Sequence, residues 1–248
     1  MIYTVAFQKG GTGKTSTAHA IAAGATFRGK KALAIDLDPQ GNLTFAMGVT
    51  PAAPGAYELI TGRAKTEDTI QHTAQGDIIP AGLNLSAVDA EISNRPGRDF
   101  LLQAAIKPLA VHYDVVVIDT PPALGTLLIN ALTAANRVIL TMNADIFSLQ
   151  GLYQLADTIR QVQTYCNADL QIAGVLFTKH STRTTLARDM TTSTAAALEQ
   201  MGINLFQTTI REGVAVKEAA AMQQSIFDYA PKSKPAQDYS AFLDKIGI

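Results

Sequence analysis

Short apolar runs and longer stretches of helical spacing alternate along nearly the whole chain. Residues 2–8 are apolar apart from Thr4 and the closing Gln8 and read as a buried strand. The Ala-rich segment 14–28 reads as a helix that stops near Gly29, and residues 31–37 as a second strand closed by Asp38-Pro39. This opening is a βαβ unit with a glycine-rich first turn. Residues 49–68 are rich in turn signals (Pro51, Pro54, Gly55, Gly62), with a short helix expected at 57–61. Further strands are expected at 77–80, 114–118, 137–142 and 171–178, with a last short one at 204–208. Helices are expected at 99–111, 148–165, 184–201 and 238–246. In the second of these, Leu149, Leu152, Leu155, Ile159 and Val162 form an apolar stripe. Pro121-Pro122 forbids a helix directly after the strand at 114–118.

Apolar strands alternating with helices predict the α/β class. The expected architecture is one domain over residues 1–248, a mostly parallel, doubly wound sheet with helices on both faces. No internal repeat, low-complexity tract or linker divides the chain.

Composition narrows this picture only a little. A chain of 248 residues, 47% hydrophobic and 17% charged, can bury a substantial core and is not disordered. A net charge of -1 offers no global attraction to nucleic acid or to an anionic membrane, so such binding requires a local basic patch. One cysteine, Cys166, excludes an intrachain disulfide framework. The N-terminus enters a strand without signal-peptide features and no apolar run is long enough to span a bilayer, so a soluble cytoplasmic protein is expected. The four histidines have no metal-ligand spacing, and no nucleophile elbow or catalytic triad signature is present.

The chemistry concentrates in Lys9-Gly10-Gly11-Thr12-Gly13-Lys14-Thr15, which follows a strand and opens a helix. That context suits a phosphate-binding loop, because glycines let successive N–H groups turn towards phosphate oxygens at a helix N-terminus. Lys14 is expected at the β- and γ-phosphates, Thr15 on Mg²⁺ and Ser16 near the α-phosphate. Gln8 stands where the strict Walker pattern has its first glycine, and Lys9 adds a second lysine at the entrance. Two further motifs, Ile35-Asp36-Leu37-Asp38-Pro39-Gln40 and Val117-Ile118-Asp119-Thr120-Pro121-Pro122, place carboxylates at the C-terminal ends of apolar strands. In an open α/β sheet that edge is where ligands bind, and a carboxylate there can orient a metal-bound or attacking water.

These motifs, with residues 78–92, 127–140 and 148–159, resemble the ParA/Soj partition ATPases within the MinD/ParA group of deviant Walker A proteins. The resemblance covers nearly the whole chain. It implies ATP and Mg²⁺ as cofactors, with Gly10, Gly11, Thr12, Gly13, Lys14, Thr15 and Ser16 cradling the phosphates. It implies that Lys9 crosses an ATP-sandwiched homodimer to the partner's phosphates, that Asp38 positions the hydrolytic water, and that Asp119 holds the Mg²⁺ shell while Asp36 supports the region. Thr15, Asp38 and Asp119 are thus the implied metal-site residues. Thr178, Lys179 and residues 210–213, including Arg211, fall where the family contacts adenine. The family proline aligns with Arg211 and a DNA-contacting arginine with Ala215, while Arg183 matches another basic DNA position.

Arg183, Arg188, Arg211 and Lys217, with Lys179, Lys232 and Lys234, are the candidate DNA contacts. Binding through them would be non-specific and salt-sensitive. The resemblance further implies a ParB-type centromere-binding partner that stimulates hydrolysis, a nucleoid-associated location, and no membrane. The alternatives are a MinD-like membrane-cycling ATPase, which would need a basic amphipathic C-terminal helix, and an orphan regulatory ATPase. A redox ATPase would need paired cluster cysteines, which the chain lacks.

Overall fold

The computed structural model describes residues 1–51, 54–180 and 185–248. Its strands are β1 (Ile2–Ala6), β2 (Ala32–Asp36), β3 (Gln71–Thr73), β4 (Gly76–Ile79), β5 (Val115–Asp119), β6 (Arg137–Met142) and β7 (Gln171–Phe177). They form one seven-stranded sheet in the order β3-β4-β2-β5-β1-β6-β7, parallel except for β3, which runs antiparallel to β4. The α/β, doubly wound class read from the sequence is the one observed. β1 and β5 are central, and β2, β5 and β1 end together, with Asp36 paired to Asp119 and Val5 paired to Asp119. The strand order switches sides at β1, with β2 to β5 on one side and β6 and β7 on the other, so the C-terminal ends of these strands open on the crevice where such sheets bind ligands.

The helices are α1 (Lys14–Phe27), α2 (Asn42–Ala46), α3 (Ala56–Thr61), α4 (Val88–Ile92), α5 (Leu101–Ala110), α6 (Thr126–Ala134), α7 (Ile146–Tyr165), α8 (Thr185–Gln200), α9 (Val214–Ala221), α10 (Ile226–Tyr229) and α11 (Lys234–Ile246). One face of the sheet buries α1, α9, α10 and α11 through Ile21, Ala22, Ala25, Phe227, Tyr239 and Phe242. The other buries α3 to α7 through residues such as Ile60, Ile106, Leu132, Leu152 and Ile159. The two apolar layers explain why the central strands are unbroken hydrophobic runs. Alanines let α1 lie close to its neighbours, and at Gly24 there is no room for a Cβ against Leu243 and Phe227.

The structure corrects two expected elements. Residues 204–208 are not a strand: the backbone bridges β7 at Leu205, and the next bridge comes only at Arg211, opposite His180. The last helix starts at Lys234 rather than 238, because the Ser233 hydroxyl caps it by accepting from the Ala236 N–H and Pro235 suits its first turn. The apolar face of α11 (Tyr239, Phe242, Leu243, Ile246) lies in the core. Among the described residues no helix is long and apolar enough to cross a membrane.

Candidate nucleotide site

The loop between β1 and α1 turns on Gly11 and Gly13, whose φ angles of 76° and 79° belong to the left-handed region that favours glycine. Gly13 is also the N-cap of α1. Thr12 is buried beneath the loop, and its hydroxyl donates to the Lys9 carbonyl at 3.2 Å. The Lys14 ammonium donates to the same carbonyl at 3.2 Å. Burial lowers the pKa of Lys14, and the facing Asp119 and Asp38 oppose that shift. Gly10, Gly11, Gly13, Lys14, Thr15 and Ser16 line a cavity of about 780 Å³, with Asp38 among its other walls. Its remaining walls include Thr178, Lys179 and residues 210–213.

The three acids differ sharply. Asp36 is fully satisfied: Oδ2 accepts from the Thr44 N–H (2.9 Å) and hydroxyl (2.8 Å), and Oδ1 accepts from the Asp38 N–H (3.0 Å). Burial still pushes its pKa up to about 6. Asp36 therefore shapes the turn that carries Asp38. Asp38 accepts from the Gln40 N–H through Oδ1 at 3.0 Å and reaches the cavity wall. Asp119 is fully buried, and neither carboxylate oxygen has a hydrogen-bond partner among the described residues. Burial, then the charge of Asp36, raises its pKa, while the Thr15 hydroxyl and the Lys14 ammonium lower it.

An orphaned buried carboxylate is costly unless a cation completes it. The oxygen donors here, Asp119 with the Thr15 hydroxyl nearby and Asp38 at the wall, suit Mg²⁺, a hard cation that shares its shell with water and phosphate.

The other sequence-derived residues fall less uniformly. Lys9 does not line the cavity; its ammonium pairs with Asp145 Oδ2 at 2.9 Å. Thr178 borders the cavity, but its hydroxyl donates to the Thr12 carbonyl at 2.7 Å and so braces the phosphate loop. Arg211 also borders the cavity, yet its guanidinium grips Asp238 on α11 through Nε (2.9 Å) and Nη2 (2.6 Å). That ion pair fixes the still-exposed guanidinium of this candidate DNA contact against α11. Lys217 is exposed on α9 and borders the cavity, Arg188 is exposed on α8, and Ala215 packs on the core. Arg183 lies outside the described residues. Sequence reading missed Asp145 and Asp238, which sit far from the motifs in the chain, and Thr44 just after one of them; none carries a motif of its own.

Comparison with known proteins agrees with this geometry. A family model described as an AAA domain matches residues 1–172. The sporulation initiation inhibitor protein Soj of Bacillus subtilis is 34% identical over 96% of this chain and 94% of that protein. The chromosome-partitioning ATPase Soj of Treponema pallidum is 33% identical over 96% and 94%. Among solved structures, a cobyrinic acid a,c-diamide synthase from Mycobacterium smegmatis with bound ADP and magnesium is 34% identical, with a TM-score of 0.86 over 98% of this chain and 92% of that one. Loop, acids, sheet and relatives converge: the chain belongs to the ParA/Soj family of P-loop ATPases.

Proposed function

We propose that this chain is an ATP-dependent, dimerising, Mg²⁺-dependent ATPase for DNA segregation, of a plasmid, mobile element or chromosome. One observation carries the reading furthest. The loop's glycines, Lys14, Thr15 and Ser16 face the cavity, whereas Lys9 is turned outside it onto Asp145. A second lysine that does not serve its own nucleotide is suited to a partner's, the logic of a cation supplied in trans to developing phosphoryl charge.

In this reading ATP and Mg²⁺ occupy the cavity. Mg²⁺ is held by Thr15 and Asp119 with Asp38 beside them, and when bound it neutralises phosphate charge. Lys14 binds the phosphates, and the backbone N–H groups of residues 10–16 orient them. Asp38, fixed by Asp36 and Gln40, aligns the attacking water. ATP held between two subunits favours the dimer by its differential affinity for that state. The dimer doubles a basic surface that includes Arg188, Arg211 and Lys217, with Arg183 a further candidate from the sequence, and binds DNA without sequence preference. A ParB-type partner stimulates hydrolysis, which resets the cycle at the nucleoid.

The membrane-cycling alternative draws no support from α11, whose apolar residues Tyr239, Phe242, Leu243 and Ile246 are buried in the core. The test is ATPase activity with and without DNA and with the product of an adjacent ParB-like reading frame. Lys14→Ala abolishes ATP binding. Asp38→Ala keeps ATP binding and dimerisation but stops turnover; wild-type turnover in Asp38→Ala refutes the role assigned to it.

A further inference from the structure

We propose that Lys179 is a ligand of the nucleotide's phosphates supplied from outside the phosphate loop. The proposal rests on the ATP-binding reading above and adds to it a residue that the loop motif does not contain.

Lys179 has φ of 50°, one of two described non-glycine residues with positive φ. For a lysine that conformation is strained and persists only where the flanking structure dictates it. The flanks are fixed on both sides. Before it, the Thr178 N–H donates to the Met142 carbonyl at 3.0 Å, and the Thr178 hydroxyl donates to the Thr12 carbonyl. After it, the His180 N–H donates to the Ile210 carbonyl at 2.9 Å, and His180 bridges Arg211. The chain turns sharply at the end of β7 and delivers the side chain to the phosphate loop. A Cβ placed on Gly11 would stand 3.8 Å from the Lys179 ammonium.

The surrounding charges separate Lys179 from the other cations of the site. Lys14 faces Asp119 and Asp38, Lys9 pairs with Asp145, and Arg211 pairs with Asp238. Among the described residues no carboxylate forms an ion pair with Lys179 or Lys217, and Lys179 is the one whose ammonium stands against Gly11. A cation held against a cradle of backbone N–H groups lacks only an anion, and a polyphosphate laid on that cradle supplies it. The ligand chemistry is a nucleoside di- or triphosphate, contacted through its phosphates and not through its base.

The test compares the full-length wild type with Lys179→Met, Lys179→Arg and Lys14→Ala by calorimetric titration of Mg-ATP and Mg-ADP at rising salt. Methionine keeps the apolar stem, which would suffice for stacking on a base, and removes the charge. The expected result is that Lys179→Met weakens both nucleotides by about tenfold at low salt, that the loss shrinks as salt rises, and that Lys179→Arg binds nearly as wild type. Unchanged affinity in Lys179→Met overturns the proposal, as does unchanged ATP affinity with lost DNA retention, which would reassign Lys179 to DNA. A wild type that binds no ATP, or a Lys14→Ala protein that binds it normally, overturns the nucleotide reading itself. Normal Lys14 behaviour with an unaffected Lys179→Met overturns only this proposal.

Discussion

The Lys9 ammonium donates to Asp145 Oδ2 at 2.9 Å, joining the entrance of the phosphate loop to the N-cap of α7. Asp145 Oδ1 accepts from the Ser148 N–H at 2.9 Å, so one carboxylate both starts a helix and holds the lysine. Burial works against the charged carboxylate, but the hydrogen bonds from Lys9 and Ser148 outweigh it and lower the pKa. If Lys9 serves a second subunit, this contact is what it leaves on dimerisation.

Asp145→Asn keeps a good helix cap and weakens the hold on Lys9. Both side chains are partly exposed, so the pair is worth only about 0.2–1 kcal/mol. The ATP concentration at half-maximal dimer, measured by light scattering, should fall by roughly 1.4- to 5-fold. Lys9→Ala should weaken the dimer while each monomer still binds ATP. A higher ATP requirement in Asp145→Asn would show that the pair supports the active form.

Asp119→Asn removes a buried carboxylate whose oxygens have no hydrogen-bond partner among the described residues and which Lys14 and Thr15 offset only in part. The nucleotide-free variant should melt about 2–4 °C higher, equivalent to roughly 1 kcal/mol in a chain of this size. Mg²⁺-dependent hydrolysis should drop by about a hundredfold or more, because the metal's carboxylate is gone. Calorimetry and a coupled ATPase assay on one preparation check both halves.

Thr44→Ala takes the hydroxyl from Asp36 and leaves the buried Ala81 N–H, which donates to Thr44 Oγ1 at 2.9 Å, without an acceptor. An unsatisfied buried group and a lost bond to a carboxylate predict destabilisation of about 2–3 kcal/mol in urea unfolding. The Asp38 turn loosens with it, so turnover should fall more than ATP affinity.

His19 borders the cavity and is buried, and it donates through Nε2 to Gln75 Oε1 at 2.7 Å. Burial lowers its pKa below the ordinary value, outweighing the Gln75 hydrogen bond. The unfolded chain therefore takes up a proton near pH 6.5 that the folded chain refuses, and stability is lost as pH falls below that value. Asp36, raised to about 6, acts oppositely, since the folded state binds its proton first and gains stability as pH falls towards 4. The difference between wild type and His19→Gln isolates the histidine: between pH 7.5 and pH 5.5, about one unit either side of its ordinary pKa, the wild type should lose more melting temperature.

The order of the main strands was legible because each sheet layer demands a period, whereas the helices α6 (Thr126–Ala134) and α9 (Val214–Ala221) were not expected. Apolar runs at 2–8, 31–37 and 114–118 correspond to β1, β2 and β5, with ends that agree to within two residues. Short elements were less visible. α2 has five residues and β3 reads Gln71-His72-Thr73, too short and too polar for any period to show. At the site, spacing exposed Lys14, Thr15, Asp38 and Asp119, since strand ends and glycines mark them. It could not distinguish the satisfied Asp36 from the orphaned Asp119, nor find Asp145 or Asp238, because those differences come from partners brought in by the fold. Arg211 shows the same limit: its charge was readable, and its commitment to Asp238 was not.

The central claim is that ATP switches this chain into a DNA-binding dimer. The most direct measurement is retention of an arbitrary DNA duplex at low salt by Asp38→Ala protein, compared in Mg-ATP, Mg-ADP and no nucleotide. The account predicts retention with Mg-ATP alone, at dimer mass, lost steeply as salt rises. Equal retention in all three conditions, or none in Mg-ATP despite a stable dimer, would contradict it.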